Sequence, residues 1–244
     1  MILGMWLVAI GACDLLRASR DATSPQRRLA LALFGCVVLA LGGAAIGFDA
    51  RWWVSVGLLW MVTLVMWVFA SSLALNPTSA HHAAWRATAF AAFVVPLAVL
   101  AFLWDAGPSL SPVSHAWRST MLGHLGPTRT VVLAGVLLVE LSTSNLLVRL
   151  LLDATGVSAA SNETNLRGGR LLGPMERVFI VVLALGGELT AAAVVVAAKG
   201  LLRFPELERS RREQGPTAVS EYFLIGSFAS WILGIVGWLL TGLG

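Results

Sequence analysis

Charged side chains are scarce in this sequence. They make up 12% of the 244 residues, whereas hydrophobic residues make up 57%. A water-soluble domain needs about a quarter of its residues charged to cover its surface. The composition therefore excludes an ordinary soluble protein, and we predict an all-α, polytopic bundle of transmembrane helices.

Cysteine is nearly absent too, and the usual catalytic motifs are missing. Cys13 and Cys36 both lie in apolar runs without metal-binding spacing, so we interpret them as packing residues. We interpret the adjacent His81 and His82 as solvated loop residues rather than metal ligands. No Walker loop, dinucleotide fingerprint, catalytic triad or zinc-protease helix occurs. We predict no metal and no cofactor, and we favour a non-enzymatic role.

Basic residues are present, but they are grouped. Sixteen arginines and one lysine oppose thirteen acids, and they cluster between apolar runs as the positive-inside rule describes. This grouping explains the charge better than nucleic-acid binding does. The predicted partner is the lipid bilayer, with anionic lipid headgroups, a second copy of the chain or a membrane protein as further candidates. The arginine-rich, alanine-rich composition suggests a bacterial plasma membrane.

Long apolar runs predict about seven spans. They cover residues 2–16, 29–48, 52–75, 86–104, 129–152, 175–198 and 221–240. We predict an N-terminal five-span region over 1–152 and a C-terminal two-span region over 153–244, within one structural domain. With seven spans, the basic loop over 199–212 falls on the opposite side from the other basic loops, so the positive-inside rule is violated once.

Tryptophans recur at seven-residue spacing in the third span. Trp53, Trp60 and Trp67 therefore share one helical face. A ledge for a quinone or another cofactor is one interpretation. A packing or lipid-facing stripe is the favoured one.

Two acids occur in the middle of predicted spans. Glu140 lies in the fifth span and Glu188 in the sixth, with Ser144, Asn145 and Thr190 nearby in sequence. A carboxylate at mid-membrane costs several kcal/mol unless it is protonated, paired or hydrated. These residues could bind a cation or pass a proton, and permeation of a small ion or solute is the leading hypothesis. The structural alternative is a buried network that fixes helix register.

The sixth span contains a pair of glycines at Gly186 and Gly187. On one unbroken helix Arg177, Glu188 and Lys199 would share a face, because eleven residues make about three turns. We favour this unbroken span over a re-entrant hairpin broken at the glycines.

A charged segment leads into the first residues of the sixth predicted span. Arg167, Arg170, Glu176 and Arg177 could bind an anionic headgroup or a lipid-linked phosphate, which would indicate a membrane enzyme or binding protein. Anchoring on the positive side of the membrane is the favoured interpretation.

Four more charged residues need partners. Arg149 cannot pair with Glu140 on one helix because the two are about half a turn apart in angle, so each needs a partner elsewhere. Lys199, Arg203 and Glu221 flank one loop and could contact each other across it.

A role as a non-catalytic assembly subunit is a third hypothesis for the whole chain.

Three motifs in the C-terminal third are specific in order and spacing. They are GGRLLGPMER at 168–177, AAKGLLRF at 197–204 and EYFLIGSF at 221–228. With them the chain resembles a family of uncharacterised bacterial polytopic membrane proteins. The resemblance implies a membrane-protein class and no particular activity.

Overall fold

In the computed structural model, the regular secondary structure of the described residues is entirely helical. The structure describes residues 1–17, 23–102, 123–156, 169–198, 200–201 and 218–242, and no strand occurs within these ranges. The helices are α1 Ile2–Arg17, α2 Pro25–Ile46, α3 Ala50–Ala74, α4 His82–Phe102, α5 Pro127–Leu141, α6 Thr143–Ala154, α7 Gly169–Leu185, α8 Leu189–Ala198 and α9 Ala218–Thr241. The predicted all-α class is confirmed for this part of the chain.

Four of these helices, α2, α3, α4 and α9, are long and apolar enough to cross a membrane. A fifth crossing results if α5 and α6 are counted as one bent span. The described residues therefore show four or five candidate crossings, and the predicted seven are not confirmed. The difference comes from α1, which has only 16 residues, and from the sixth predicted span, which is interrupted.

The interruption in the sixth span lies at the glycine pair. α7 ends at Leu185, and Gly187 takes a left-handed conformation with φ of 82°. The amide of Glu188 donates to the Leu183 carbonyl at 2.8 Å, and the amide of Gly187 donates to the Ala184 carbonyl at 3.1 Å. This is the hydrogen-bond pattern of a Schellman C-cap, which glycine adopts at no steric cost. The prediction of an unbroken helix was wrong, and the re-entrant hairpin stays a prediction.

The fifth predicted span is also interrupted, at Ser142. The Ser142 hydroxyl lies 2.7 Å from the Leu138 carbonyl of its own helix and 2.8 Å from the Gly11 carbonyl of α1. A serine hydroxyl that bonds to backbone carbonyls competes with the regular helical ladder. α5 ends at Leu141 beside this serine, and α6 starts at Thr143.

The described chain divides into two units. Unit 1 comprises residues 1–143 and 240–244, and unit 2 comprises residues 144–239. α1 is the inner helix of unit 1, because it packs on α2, α3, α4 and α5. It runs parallel to α3, since Asp14 contacts Trp67 and Arg17 contacts Ser71.

Glycines bring α1 and α5 into backbone contact. A methyl carbon at Gly4 would lie 2.7 Å from the Val132 nitrogen, and one at Gly11 would lie 2.9 Å from the Leu138 carbonyl carbon. A methyl carbon at Gly135 of α5 would lie 2.9 Å from the Gly4 oxygen. Small residues allow this close approach in membrane bundles. Gly4, near the start of α1, lies against Val132, and Gly11, farther along α1, lies against Leu138, farther along α5. The two helices therefore run parallel.

Aromatic rings fill the rest of the unit 1 core. Trp60 and Trp67 are fully buried, as the favoured packing interpretation of the tryptophan stripe requires. Phe93 of α4 lies between Trp6 and Trp67, with ring centroids 5.6 and 5.5 Å away. Phe48 stacks on Trp60 at 5.1 Å. The stripe is therefore part of the packed core, although Trp53 is only half-buried.

In unit 2, α9 presents small residues to its neighbours. Gly226, Ser230 and Gly234 recur at four-residue spacing and therefore share one helical face. A methyl carbon at Gly226 would meet the Leu152 side chain of α6 at 3.7 Å. One at Gly234 would meet the Arg177 Cα of α7 at 3.4 Å. α9 thus packs on both α6 and α7.

Candidate functional site

A buried polar site of unit 1 surrounds the Asp14 carboxylate. Asp14 is 5% exposed although it lies in an otherwise apolar stretch of α1. The Trp67 indole N–H donates to Oδ2 at 2.9 Å, and the Thr143 hydroxyl donates to the same oxygen at 2.7 Å. α1, α3 and the first residue of α6 therefore meet at one carboxylate oxygen.

Arg17 lies one turn after Asp14 on α1. Its Nη1 atom is 3.9 Å from Asp14 Oδ1 and donates to the Ser71 hydroxyl at 2.8 Å. Both charged side chains are buried, so their mutual attraction is screened little by solvent. Arg17 partly neutralises the carboxylate, and Ser71 fixes the direction of the guanidinium.

The site lies toward the carboxyl ends of α1 and α3. Asp14 is three residues before the end of α1, and Trp67 is seven residues before the end of α3. Seven residues correspond to about 10 Å of helix. Arg27, which follows in the sequence after α1, donates to the Leu16 carbonyl at 2.9 Å. The carboxylate therefore lies about one turn from the end of α1 and two turns from the end of α3, near the arginine-rich end of unit 1 that holds Arg17 and Arg27.

A second polar cluster, in unit 2, surrounds Arg177. Arg177 is 1% exposed, its Nη1 atom donates to the Ser230 hydroxyl at 2.8 Å, and its Nη2 atom donates to Asn145 Oδ1 at 2.7 Å. These contacts link α6, α7 and α9. Arg149 and Glu176 are also buried in this unit. The guanidinium is therefore part of the interior of unit 2 rather than of a charged surface.

The residues of the predicted polar centre have different environments. Glu140 is 2% exposed and belongs to unit 1, three residues before Thr143. In unit 2 Ser144 is buried and Asn145 is half-buried, whereas Glu188 and Thr190 are exposed beside the break after α7. Of these residues, Asn145 contacts Arg177 in unit 2. Glu140 is a buried acid of unit 1, in addition to Asp14.

Part of the predicted charged motif lies outside the described residues. Lys199, Arg203 and Arg167 fall there, and so do the side chains of Arg170 and Glu221. Their predicted roles stay predictions. Within the described ranges, no group of three or more His, Cys, Asp or Glu side chains could hold a metal ion.

Sequence patterns pointed less clearly to Asp14 than to Glu140. The available signal was an acid inside an apolar run with an arginine three residues later, which is one helical turn. Its hydrogen-bond partners Trp67 and Thr143 are 53 and 129 residues away in the chain. The network is tertiary, so local spacing could not reveal it.

The chain shows no match to any protein-family model, curated protein or solved structure that was searched. The resemblance of its C-terminal motifs to an uncharacterised membrane-protein family therefore stays a prediction.

Proposed function

We propose that this chain is a multi-pass protein, of a bacterial plasma membrane, that moves a proton or small cation through the interior of unit 1. The observation that carries the proposal is the buried Asp14 carboxylate, surrounded by apolar helices. An ionisable group inside a membrane bundle costs several kcal/mol, and such groups mark ion or proton pathways. Asp14 is the proposed binding group.

The path of α1 supports this location. α1 runs parallel to α3, which is long and apolar enough to cross a membrane. Sixteen residues extend about 24 Å, most of the roughly 30 Å hydrocarbon thickness. Four other helices of unit 1 cover α1, so it does not need the uniformly apolar surface of a lipid-facing helix. In the proposal α1 is a further crossing, inside the bundle.

The two oxygens of Asp14 differ in a way that suits exchange. Oδ2 accepts both hydrogen bonds, from Trp67 and Thr143, which hold the carboxylate in place. Oδ1 is 3.9 Å from the Arg17 guanidinium, beyond hydrogen-bond length. A proton or a small cation would bind at Oδ1 and leave from it, while Oδ2 keeps the side chain oriented.

Charge removal at Asp14 tests the proposal. Asp14→Asn retains an acceptor oxygen for Trp67 and Thr143 but cannot bind a proton or cation in the same way. In proteoliposomes under an imposed ion gradient, we expect flux to fall roughly tenfold or more. Asp49→Asn is the matched control, because Asp49 is exposed and caps the start of α3. Unchanged flux in a folded Asp14→Asn protein would contradict the proposal.

Variants of Glu140 and Glu188 distinguish a pathway inside unit 1 from a pathway that uses the exposed Glu188. Glu140→Gln is expected to lower flux, because Glu140 is buried in unit 1. Glu188→Gln is expected to leave flux within about twofold, because Glu188 is exposed at a helix end. The reverse result would move the pathway out of unit 1.

A membrane enzyme acting on lipid-linked phosphate has less support. That alternative needs Arg177 to contact a phosphate, yet its guanidinium already donates to Ser230 and Asn145. Because Arg177 is buried, contact with a headgroup would require these bonds to break. The arrangement favours a stabilising role for Arg177.

A further inference from the structure

Two tryptophans of unit 1 have buried indole N–H groups that donate no hydrogen bond within the described residues. Trp6 and Trp60 are both 0% exposed, and the Nε1 atom of each has no hydrogen-bond partner in the part of the chain that the structure describes. Indole N–H is a donor only, and a buried donor without an acceptor costs about 1–3 kcal/mol. Trp67 differs, because its N–H donates to Asp14.

The two unused donors lie at the same depth. α1 and α3 are parallel and are aligned by the Asp14–Trp67 and Arg17–Ser71 contacts. Trp6 precedes Asp14 by eight residues, or about 12 Å, and Trp60 precedes Trp67 by seven residues, or about 10 Å. Both donors are therefore about two turns from the carboxylate, on the side away from the arginine-rich end.

Neighbouring rings restrict both indoles. Trp6 packs against Phe93 with a centroid distance of 5.6 Å, and Trp60 stacks on Phe48 at 5.1 Å. Such aromatic pairs contribute about 0.5–1.5 kcal/mol beyond their area burial. Rotating an indole toward another protein acceptor would break this packing. An acceptor for either N–H group must therefore be a small molecule that reaches the indole in its present position.

We propose that water molecules accept hydrogen bonds from Trp6 and Trp60 and continue the path from Asp14, so that the transported species is a proton. This inference rests on the proposed function and narrows its substrate. An indole N–H cannot ligate a metal cation, whereas it binds a water oxygen. Such a water keeps a second lone pair and two O–H groups for proton transfer.

The proposed transfer is balanced without any redox step. A hydronium in the water chain gives its proton to Asp14 Oδ1, which forms the neutral carboxylic acid and leaves water. The acid then gives the proton to a water on the other side and becomes a carboxylate again. One positive charge crosses, and no electron pair leaves the protein.

Hydrogen exchange of the indole protons tests the water chain directly. In wild-type protein labelled with ¹⁵N-tryptophan in nanodiscs, the Trp6 and Trp60 indole protons should exchange with D₂O at least about tenfold faster than that of Trp67. Trp67 is the internal control because its proton is bonded to Asp14. Single Trp→Phe variants assign the signals. Equally slow exchange at all three indoles would overturn the proposal.

Flux measurements test whether the water chain carries the transported species. Trp60→Phe keeps an aromatic ring against Phe48 and removes the donor, so proton flux should fall roughly threefold or more. Wild-type proteoliposomes should move protons without a matching Na⁺ or K⁺ flux. If Asp14→Asn abolishes flux while Trp60→Phe does not lower it, the water chain is wrong and the proposed function stands. Metal-ion flux without proton flux would overturn the proton assignment, and unchanged flux in Asp14→Asn would remove the proposed function itself.

Discussion

Both units bury charged side chains of both signs. They differ in the group whose hydrogen bonds link the helices, which is a carboxylate in unit 1 and a guanidinium in unit 2. Unit 1 holds the Asp14 carboxylate with the donors Trp67 and Thr143, and it places the Arg17 guanidinium nearby. Unit 2 holds the Arg177 guanidinium, with oxygens of Asn145 and Ser230 among its acceptors. In both units the partners match what the charged group can accept or donate. The apolar surroundings make this matching necessary.

The units also differ in how closely their helices approach. In unit 1 a methyl group at Gly4 or Gly11 would lie within 3 Å of the α5 backbone. In unit 2 methyl groups at Gly226 and Gly234 would meet their nearest neighbours at 3.4 Å or more. Distances of 3.4 to 4 Å are ordinary carbon contacts. The α1–α5 seam therefore has no room to adjust, whereas the α9 face of unit 2 has room for a methyl group.

Removing the central charge of unit 2 should have the largest effect on stability. Arg177→Ala leaves the half-buried Asn145 oxygen and the buried Ser230 hydroxyl without their donor, so we expect the free energy of unfolding to fall by about 3 kcal/mol. Arg51→Ala, at an exposed position, should change it by less than about 0.5 kcal/mol. Unfolding in mixed micelles with increasing SDS measures both. A loss below about 1 kcal/mol would show that Arg177 does not hold unit 2 together.

The same small substitution in the two units tests the difference in helix approach. Gly11→Ala should destabilise by about 2 kcal/mol, because the added carbon would lie 2.7 Å from Leu138 Cβ and 2.9 Å from its carbonyl carbon. Gly226→Ala should not lower stability and should raise it by up to about 1 kcal/mol, since the nearest atom is 3.7 Å away and alanine favours the interior of α9. Thermal unfolding in detergent compares the two variants. Equal losses would remove the distinction between a tight and a loose helix seam.

Local hydropathy was enough to locate the long helices. The apolar runs over 29–48, 52–75, 86–104 and 221–240 correspond to α2, α3, α4 and α9, because the length and composition of a run are properties of adjacent residues. The break at Ser142 was not predictable in this way. The Ser142 hydroxyl contacts the Gly11 carbonyl, 131 residues away, and such a tertiary contact leaves no mark in local hydropathy.

The candidate site was predicted only in part. Mid-run positions suggested sheltered carboxylates at both Glu140 and Glu188, and only Glu140 is buried. Seven-residue spacing placed Trp60 and Trp67 on one helical face, and both side chains are buried. The partners of Asp14 come from α3 and Thr143, and only the folded chain brings them together. Gly186 and Gly187 carried a local signal of a break, but the length of the surrounding apolar run favoured a continuous helix.

The smallest expected effect concerns that break, which distinguishes unit 2 from the closely packed helices of unit 1. Gly187 has a left-handed conformation with no atom within 4 Å of an added methyl carbon, so Gly187→Ala introduces backbone strain alone. We expect a loss of about 1 kcal/mol in the free energy of unfolding. Gly186→Ala is the matched control, because its nearest contact would be an ordinary 3.4 Å. If α7 instead continued unbroken into α8, both alanines would favour the helix and both variants would gain stability by up to about 1 kcal/mol. A gain at position 187 would therefore contradict the C-cap and restore a single continuous helix from α7 to α8.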